Sequence, residues 1–327
     1  ATMATSLRSA AFSALERIIQ RDPGGRGIGN LIVSGDLAQS CAALAKAKSV
    51  AVLTGFPCLL DCETPTETDG PPGACAIAHA LARSGVRVRI VTDECNVKAV
   101  RASWEAAASA AAFAPHAAHV DAFPPAASME ASDHERLQAL LRDCDHIVAI
   151  ERTGVAADGN YYTAKARDMS HVVAPLDVLF KDAAANGVGT TGIGDGGNEL
   201  GMGKVLEQVR TSIPNGATVA CVQGCDHLIT CGVSNWGGYA IAAGLAMLAA
   251  DAGSFGASYA SAARALVPSA EAAREALRGC VEAGARDGIS REEGALSVDG
   301  MPWERHEEVL RELTSVVEGL SAEALSS

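Results

Sequence analysis

The 327-residue chain is 48% hydrophobic and 20% charged, and its 39 acidic against 26 basic side chains give a formal net charge of −13. That length supports a sizeable core, and that charge weighs against nucleic acid or an anionic membrane as a partner, though not against a small anionic substrate. No apolar run reaches the length of a membrane span, and ten cysteines without a regular framework predict reduced thiols in a cytoplasmic setting.

The segment through Arg21, which contains Glu16, reads as an amphipathic helix and not as a signal peptide. Strand-like apolar runs then fall at 49–54, 86–91, 117–122, 146–151, 188–193 and 217–222, with a shorter one near 226–230. Helical patterns lie between them at 37–48, 73–84, 95–111, 132–142, 175–186 and 198–212, and from Trp236 on the chain reads as almost entirely helical and alanine-rich. Such alternation predicts an α/β fold, a mostly parallel sheet with helices on both faces. The expected architecture is a Rossmann-like three-layer sandwich with added C-terminal helices, a single domain over 1–327.

In an open parallel sheet, ligands collect at the carboxyl ends of the strands. Polar clusters gather at those positions. After the first strand comes Thr68-Asp-Gly-Pro-Pro-Gly73, where proline suits a first helical turn and free amides favour an anion. Asp69 there reads equally well as a simple helix cap. The fourth strand runs into Glu151 and Arg152, then into a loop with Asp158, Asn160, Tyr161 and Tyr162. After the shorter run near 226–230, Ser234, Asn235 and Trp236 lie between Gly232 and Gly237-Gly238, where close backbone approach is expected.

The densest signal is 189–204, where seven of sixteen residues are glycine and Asp195, Asn198, Glu199 and Lys204 sit among them. A flexible linker would be poorer in charge, so this loop reads as a site. Gly192, Gly194 and Gly197 satisfy a dinucleotide fingerprint between strand and helix. Two features count against a nucleotide: Asp195 would face the pyrophosphate, and no acid ends the next strand at Val222-Gln-Gly224. Cys221, Cys225, His227 and Cys231 lack paired zinc-knuckle spacing and read as core. Asp69, Asp158, Asp195, Asn198 and Glu199 are hard oxygen donors that suit Mg²⁺ or Mn²⁺, with Asp195 and Glu199 the expected ligands. His79, His116, His119 and His134 read as structural or solvated.

These same segments resemble the D-glutamate cyclase family, that is, the C-terminal domain of the mitochondrial enzyme and its stand-alone bacterial relatives. The resemblance is carried by 68–74, Glu151-Arg152, 157–162, 175–180, 191–205 and 232–240, in the expected order. The segment 163–168 departs from the family's pattern. The resemblance implies a lyase that dehydrates D-glutamate to 5-oxo-D-proline, with no organic cofactor. Chemistry then assigns Asp195, Glu199 and Asn198 to catalysis, and Arg152 or Lys204 to the α-carboxylate. Asp69, Gly70, Glu151, Asp158, Asn160, Tyr161, Gly194, Gly196, Gly197, Ser234, Asn235 and Trp236 complete the expected substrate pocket. Two other classes stay open: a nucleotide-dependent enzyme using the glycine loop, and a non-catalytic amino-acid- or metal-binding module. The sequence leaves a homo-oligomer open.

Overall fold

The structure, a computed structural model, describes residues 2–112 and 114–320. Six parallel strands form its centre: β1 (Ser49–Gly55), β2 (Arg87–Asp93), β3 (Ala118–Phe123), β4 (His146–Arg152), β5 (Gly189–Gly194) and β6 (His227–Thr230). Their order is β3-β2-β1-β4-β5-β6. The winding reverses between β1 and β4, and the crevice beyond the carboxyl ends of those two strands is where such sheets bind ligands.

Period-two alternation divides the core. Val50, Val52, Val148 and Ile150 face one layer, with α1 (Thr2–Ile19), α2 (Asp36–Leu44), α3 (Pro71–Arg83) and α4 (Val97–Ala110). Ala51, Leu53, Ile147 and Ala149 face the opposite layer, with α5 (Ala131–Asp143), α6 (Asp177–Ala183) and α7 (Leu206–Ser212). Both faces are therefore covered, as a parallel sheet requires. A single turn, α8 (Gly216–Val219), precedes β6.

The remaining helices all join the first layer: α9 (Ser234–Asp251), α10 (Tyr259–Leu266), α11 (Ala270–Glu282) and α12 (Trp303–Glu318). Nearly the whole of α9 is buried, against α2, α3, α10 and α12. It approaches α3 so closely that a Cβ on Gly238 would lie 2.4 Å from the Gly73 carbonyl oxygen. Glycine is required there by contact between two backbones.

Three expectations need correction. The run at 217–222 is not a strand: Asn215 takes a left-handed φ of 59° and opens α8, and the sixth strand is the shorter run at His227–Thr230. A Cβ on Gly216 would lie 2.1 Å from the Val209 carbonyl oxygen, so α7 and α8 pack backbone to backbone there. The helix expected over 198–212 begins only at Leu206. Residues 199–202 instead bridge to Thr153 and Gly224, with Gly201 at φ 109°. Lastly, the C-terminal third includes a small antiparallel hairpin, β7 (Ser297–Val298) and β8 (Met301–Pro302), whose turn holds Asp299.

Candidate active site

The β1–β4 crevice fills with side chains from five connections. The β1–α3 loop brings Glu67 and Asp69, β4 brings Glu151 as its last residue but one, and β5 runs into Asp195 and Glu199. The start of α9 brings Ser234 and Asn235, and the β7–β8 turn brings Asp299. A sixth piece comes from the connector after α1. Gly232 donates to the Ile19 carbonyl at 2.7 Å, and a Cβ on Gly232 would lie 1.8 Å from the Arg21 carbonyl oxygen. That contact carries Arg26 into the crevice.

Two helix starts meet here and cap each other. The Asp69 carboxylate accepts from the amides of Ser234 (2.8 Å), Asn235 (2.8 Å) and Gly70 (3.0 Å). Conversely, the Asn235 side-chain oxygen accepts from the amides of Gly70 (3.1 Å) and Gly73 (2.7 Å) at the start of α3. Amides left free at a helix start need acceptors, and each residue supplies them to the other's helix. These residues form the wall behind the cavity, so the cap reading of Asp69 describes what its oxygens do.

The glycine loop also satisfies itself. The Glu199 carboxylate accepts from the amides of Asp195 (2.8 Å), Gly196 and Gly197 (2.5 Å). Three consecutive amides of this kind form an anion-binding concavity, and here the anion is a side chain of the loop itself. With Glu199 seated, and no helix opening directly after the loop, a phosphate has no cradle. Gly194 and Gly197 are tightly confined, since Cβ atoms there would meet Glu199 at 2.8 Å and Val209 at 2.5 Å.

Glu151 stands at a register shift between β1 and β4, with a positive φ of 40°. Few non-glycine residues adopt that conformation, and it commonly marks a functional position. Its carboxylate accepts from the Ser234 hydroxyl at 2.5 Å. Arg26 forks onto Asp195 at 3.1 and 2.9 Å, and its second nitrogen also donates to Asp299 (2.7 Å) and the Gly232 carbonyl (2.6 Å).

A cavity of 260 Å³ opens over this group, lined by Arg26, Glu67, Glu151, Asp195, Glu199 and Asp299, with Phe56 and Leu59 as apolar wall. In the cavity interior these carboxyl groups crowd around Arg26, and their acidities respond. Burial, then Glu199, Asp69 and Glu67, pushes Glu151 well above the usual carboxylate range. Burial also pushes Asp195 well up: Arg26 opposes the shift, and Glu151 and Asp299 add to it. Glu67 is raised well up by burial, Asp299 and Asp69. Burial and Asp299 carry Asp69 to about 7 against its amide hydrogen bonds. Arg26 is held protonated: burial opposes its charge, but Asp195 and Asp299 outweigh that. Crowded carboxyls of this sort share protons, and part of the group stays neutral near neutral pH.

Several residues expected in the pocket lie elsewhere. Arg152 is walled in, donating to Asp93 and to the Ala174 carbonyl (2.7 Å), so it offers no fork to a substrate. Lys204 pairs with Asp36 (2.6 Å) and the Asp226 carbonyl (2.5 Å), below the glycine loop. Asp158, Asn160 and Tyr162 bond one another on an outer loop, while Tyr161 donates to Asp177 beside Arg152. The Trp236 ring nitrogen donates to His306 at 3.0 Å within the helical layer. Asn198 does reach the cavity, with its amide nitrogen donating to the Tyr162 carbonyl at 2.8 Å.

Sequence reading missed Arg26, Glu67 and Asp299. The first sits among glycines in Pro23-Gly-Gly-Arg-Gly-Ile-Gly29, a pattern that signals close backbone approach. Asp299-Gly300 is a turn signal inside a supposedly helical region. Glu67 carried no distinguishing signal beyond its nearness to Asp69.

Among the described residues, two carboxylate triads bring ligand oxygens within 4.8 Å of one another: Asp69–Asp195–Asp299 and Glu151–Asp195–Glu199. Arg26 already bridges Asp195 and Asp299, so its guanidinium supplies the positive charge of the first triad. The second has no arginine between Glu151 and Glu199, and its hard oxygen donors fit Mg²⁺ or Mn²⁺ in charge and type. Cys221, Cys225, His227 and Cys231 form no such group, and all ten cysteines are free thiols. Among the described residues, no helix is long and apolar enough to cross a membrane.

A family model described as D-glutamate cyclase-like, C-terminal, matches residues 15–314. The chain is 37% identical over 337 residues to the human (Homo sapiens) protein named D-glutamate cyclase, mitochondrial, covering 96% of this chain and 53% of that protein. It thus spans about half the length of the curated relative it matches. A crystal structure of an exopolyphosphatase-related protein from Bacteroides fragilis aligns over 90% of this chain and 59% of its own, at 11% identity and a TM-score of 0.37. That likeness is too distant to inform the site.

Proposed function

The chain belongs to the D-glutamate cyclase-like, C-terminal family, and from that membership we propose that it closes D-glutamate to 5-oxo-D-proline with loss of water. The amine attacks the γ-carboxyl carbon of the same molecule, so the enzyme need only fold a tethered substrate. A C–N bond forms and a C–O bond breaks. The ammonium gives up two protons and the γ-carboxylate one oxygen, which leave together as water.

The observation that carries this reading is the cluster of carboxyl groups crowded around Arg26 in one cavity. An ionised member attracts the substrate ammonium and accepts its proton. A neutral member donates to the γ-carboxyl oxygen, which turns a poor electrophile into a good one. Asp195, oriented by Arg26, is the proposed acceptor, and Glu151, whose second oxygen is clear of Ser234, is the proposed donor. Glu199 shapes the loop by accepting three of its amides, and Asn198 orients the cavity wall. An acidic pocket for an acidic substrate is then consistent, because the pocket addresses the ammonium and holds protons for the γ-carboxyl. A divalent cation on Glu151, Asp195 and Glu199 would instead neutralise the γ-carboxylate directly.

The test is conversion of D- and L-glutamate by chelated protein, with and without added Mg²⁺ or Mn²⁺, read by chiral chromatography. Turnover of D-glutamate alone supports the cyclase, and its metal dependence separates the two ways of neutralising the γ-carboxylate. Folded protein that converts neither enantiomer under any condition sinks the reading. A nucleotide-dependent activity has no support here, because Glu199 fills the concavity that phosphate would need.

A further inference from the structure

The cavity interior has no arginine to spare for a substrate carboxylate. Arg26 is committed to Asp195, Asp299 and the Gly232 carbonyl, and Arg152 is sealed off behind it. Among the described residues, every other cation lining the cavity lies on the outer loops: Lys165, Arg167 and Arg291. Two of these converge on one group. Arg167 forks onto both oxygens of Asp61 at 3.1 and 2.9 Å, and Arg291 donates to the same carboxylate at 3.4 Å.

Resting on the cyclase reading, we propose that Arg167 and Arg291 are the receptor for the substrate's α-carboxylate, and that Asp61 occupies it until substrate displaces it. A planar fork recognises a carboxylate by geometry and charge, whichever molecule carries it. Both arginines are presented by closed turns. Thr163 donates to the Arg167 carbonyl at 3.0 Å, next to Ala166 at φ 56°, and Arg291, itself at φ 59°, donates to the Asp287 carbonyl at 2.9 Å. Asp61, by contrast, is 58% exposed in its side chain. Exposed pairs of this kind add little stability, so displacing Asp61 costs the fold little.

This arrangement orients the substrate. The α-carboxylate keeps its charge throughout the reaction and stays at the cationic mouth. The ammonium and the γ-carboxyl, which exchange protons, reach the carboxyl group inside. The receptor thereby selects amino acids with a free α-carboxylate and a second carboxyl at γ reach.

The experiment compares wild type, Arg167→Gln, Arg291→Gln and Asp61→Asn by kcat and KM for D-glutamate. Calorimetry with 5-oxo-D-proline, which retains the α-carboxylate, accompanies the kinetics. Each arginine variant is expected to raise KM and weaken product binding about tenfold, with the larger effect on KM. Arg167→Lys restores charge without the fork and recovers only part. Asp61→Asn removes the internal competitor and lowers KM by roughly threefold. Thermal melts establish that each variant is folded. Arginine variants that keep wild-type KM and affinity, beside an active wild type, overturn the receptor and leave the cyclase standing. An Asp61→Asn variant with raised KM also overturns it, since Asp61 then only anchors the loops. Wild type that neither turns over D-glutamate nor binds 5-oxo-D-proline overturns both.

Discussion

Asp69 and Asn235 each serve the helix that the other precedes, so a change at either is felt at two helix starts. Asn235→Ala leaves the buried Gly73 amide without its acceptor, the Gly70 amide with Asp69 alone, and the Thr68 carbonyl without a donor. Losing such a cap is expected to cost about 2 kcal/mol. Chemical denaturation should show a lower midpoint at unchanged m, whereas an unchanged midpoint would mean that water replaces the side chain. Sequence could expose this partnership only in part. Asp69 before Gly-Pro-Pro reads as a cap, but which helix it caps depends on a partner 166 positions away.

At the scale of elements, the glycine loop separates what is legible from what is not. Its density of glycine beside carboxylates marks a site, and the structure places Asp195 and Glu199 on the cavity. The helix expected from 198 fails because local periodicity cannot register where a side chain folds back. Glu199 binds three amides behind it, and Gly201 then turns the chain through a positive φ. The misread run at 217–222 has a related cause: only its middle, Val219, Ala220 and Cys221, is buried, and a short buried apolar run looks like a strand. Glu199→Gln tests the loop. Its amide would present N–H groups to backbone donors, so protection of the 195–197 amides from hydrogen exchange should fall by roughly 10- to 100-fold. Unaltered protection would mean that Glu199 is not what holds the loop.

Over the whole molecule, the doubly wound order sets the site at the β1–β4 crevice, and alternating apolar runs sufficed to expect that sheet. Arg26 and Asp299 were not legible, because connections outside the βα pattern deliver them: the segment after α1 and a two-residue hairpin. The pH dependence of stability is a property of the whole chain. Burial raises Glu67, Asp69, Glu151 and Asp195, so the folded chain keeps protons that the unfolded chain has released. Their stabilisation is full below the unfolded carboxylate range and is lost as pH rises, through about 7 for Asp69. His146, buried and stacked on His227, acts with the opposite sign. Burial and His227 lower it to about 4, so its contribution is present above 6.5 and is lost as pH falls through about 4. Burial also lowers His79, His227 and His306 and raises Glu16, so five raised carboxyls face four lowered histidines. The histidine contribution is complete above 6.5, so the denaturation midpoint of chelated protein should decline from about pH 6.5 to about pH 8. Asp69→Asn should flatten that decline. A midpoint that climbs over this range would contradict a proton-holding site.

The most direct measurement sets wild type beside Asp195→Asn and Glu151→Gln, with 5-oxo-D-proline formed from D-glutamate read by chiral chromatography and product binding read by calorimetry. The proton-handling group predicts product from wild type, and about 100-fold less from each variant while binding survives. Variants that turn over D-glutamate as fast as wild type would contradict it.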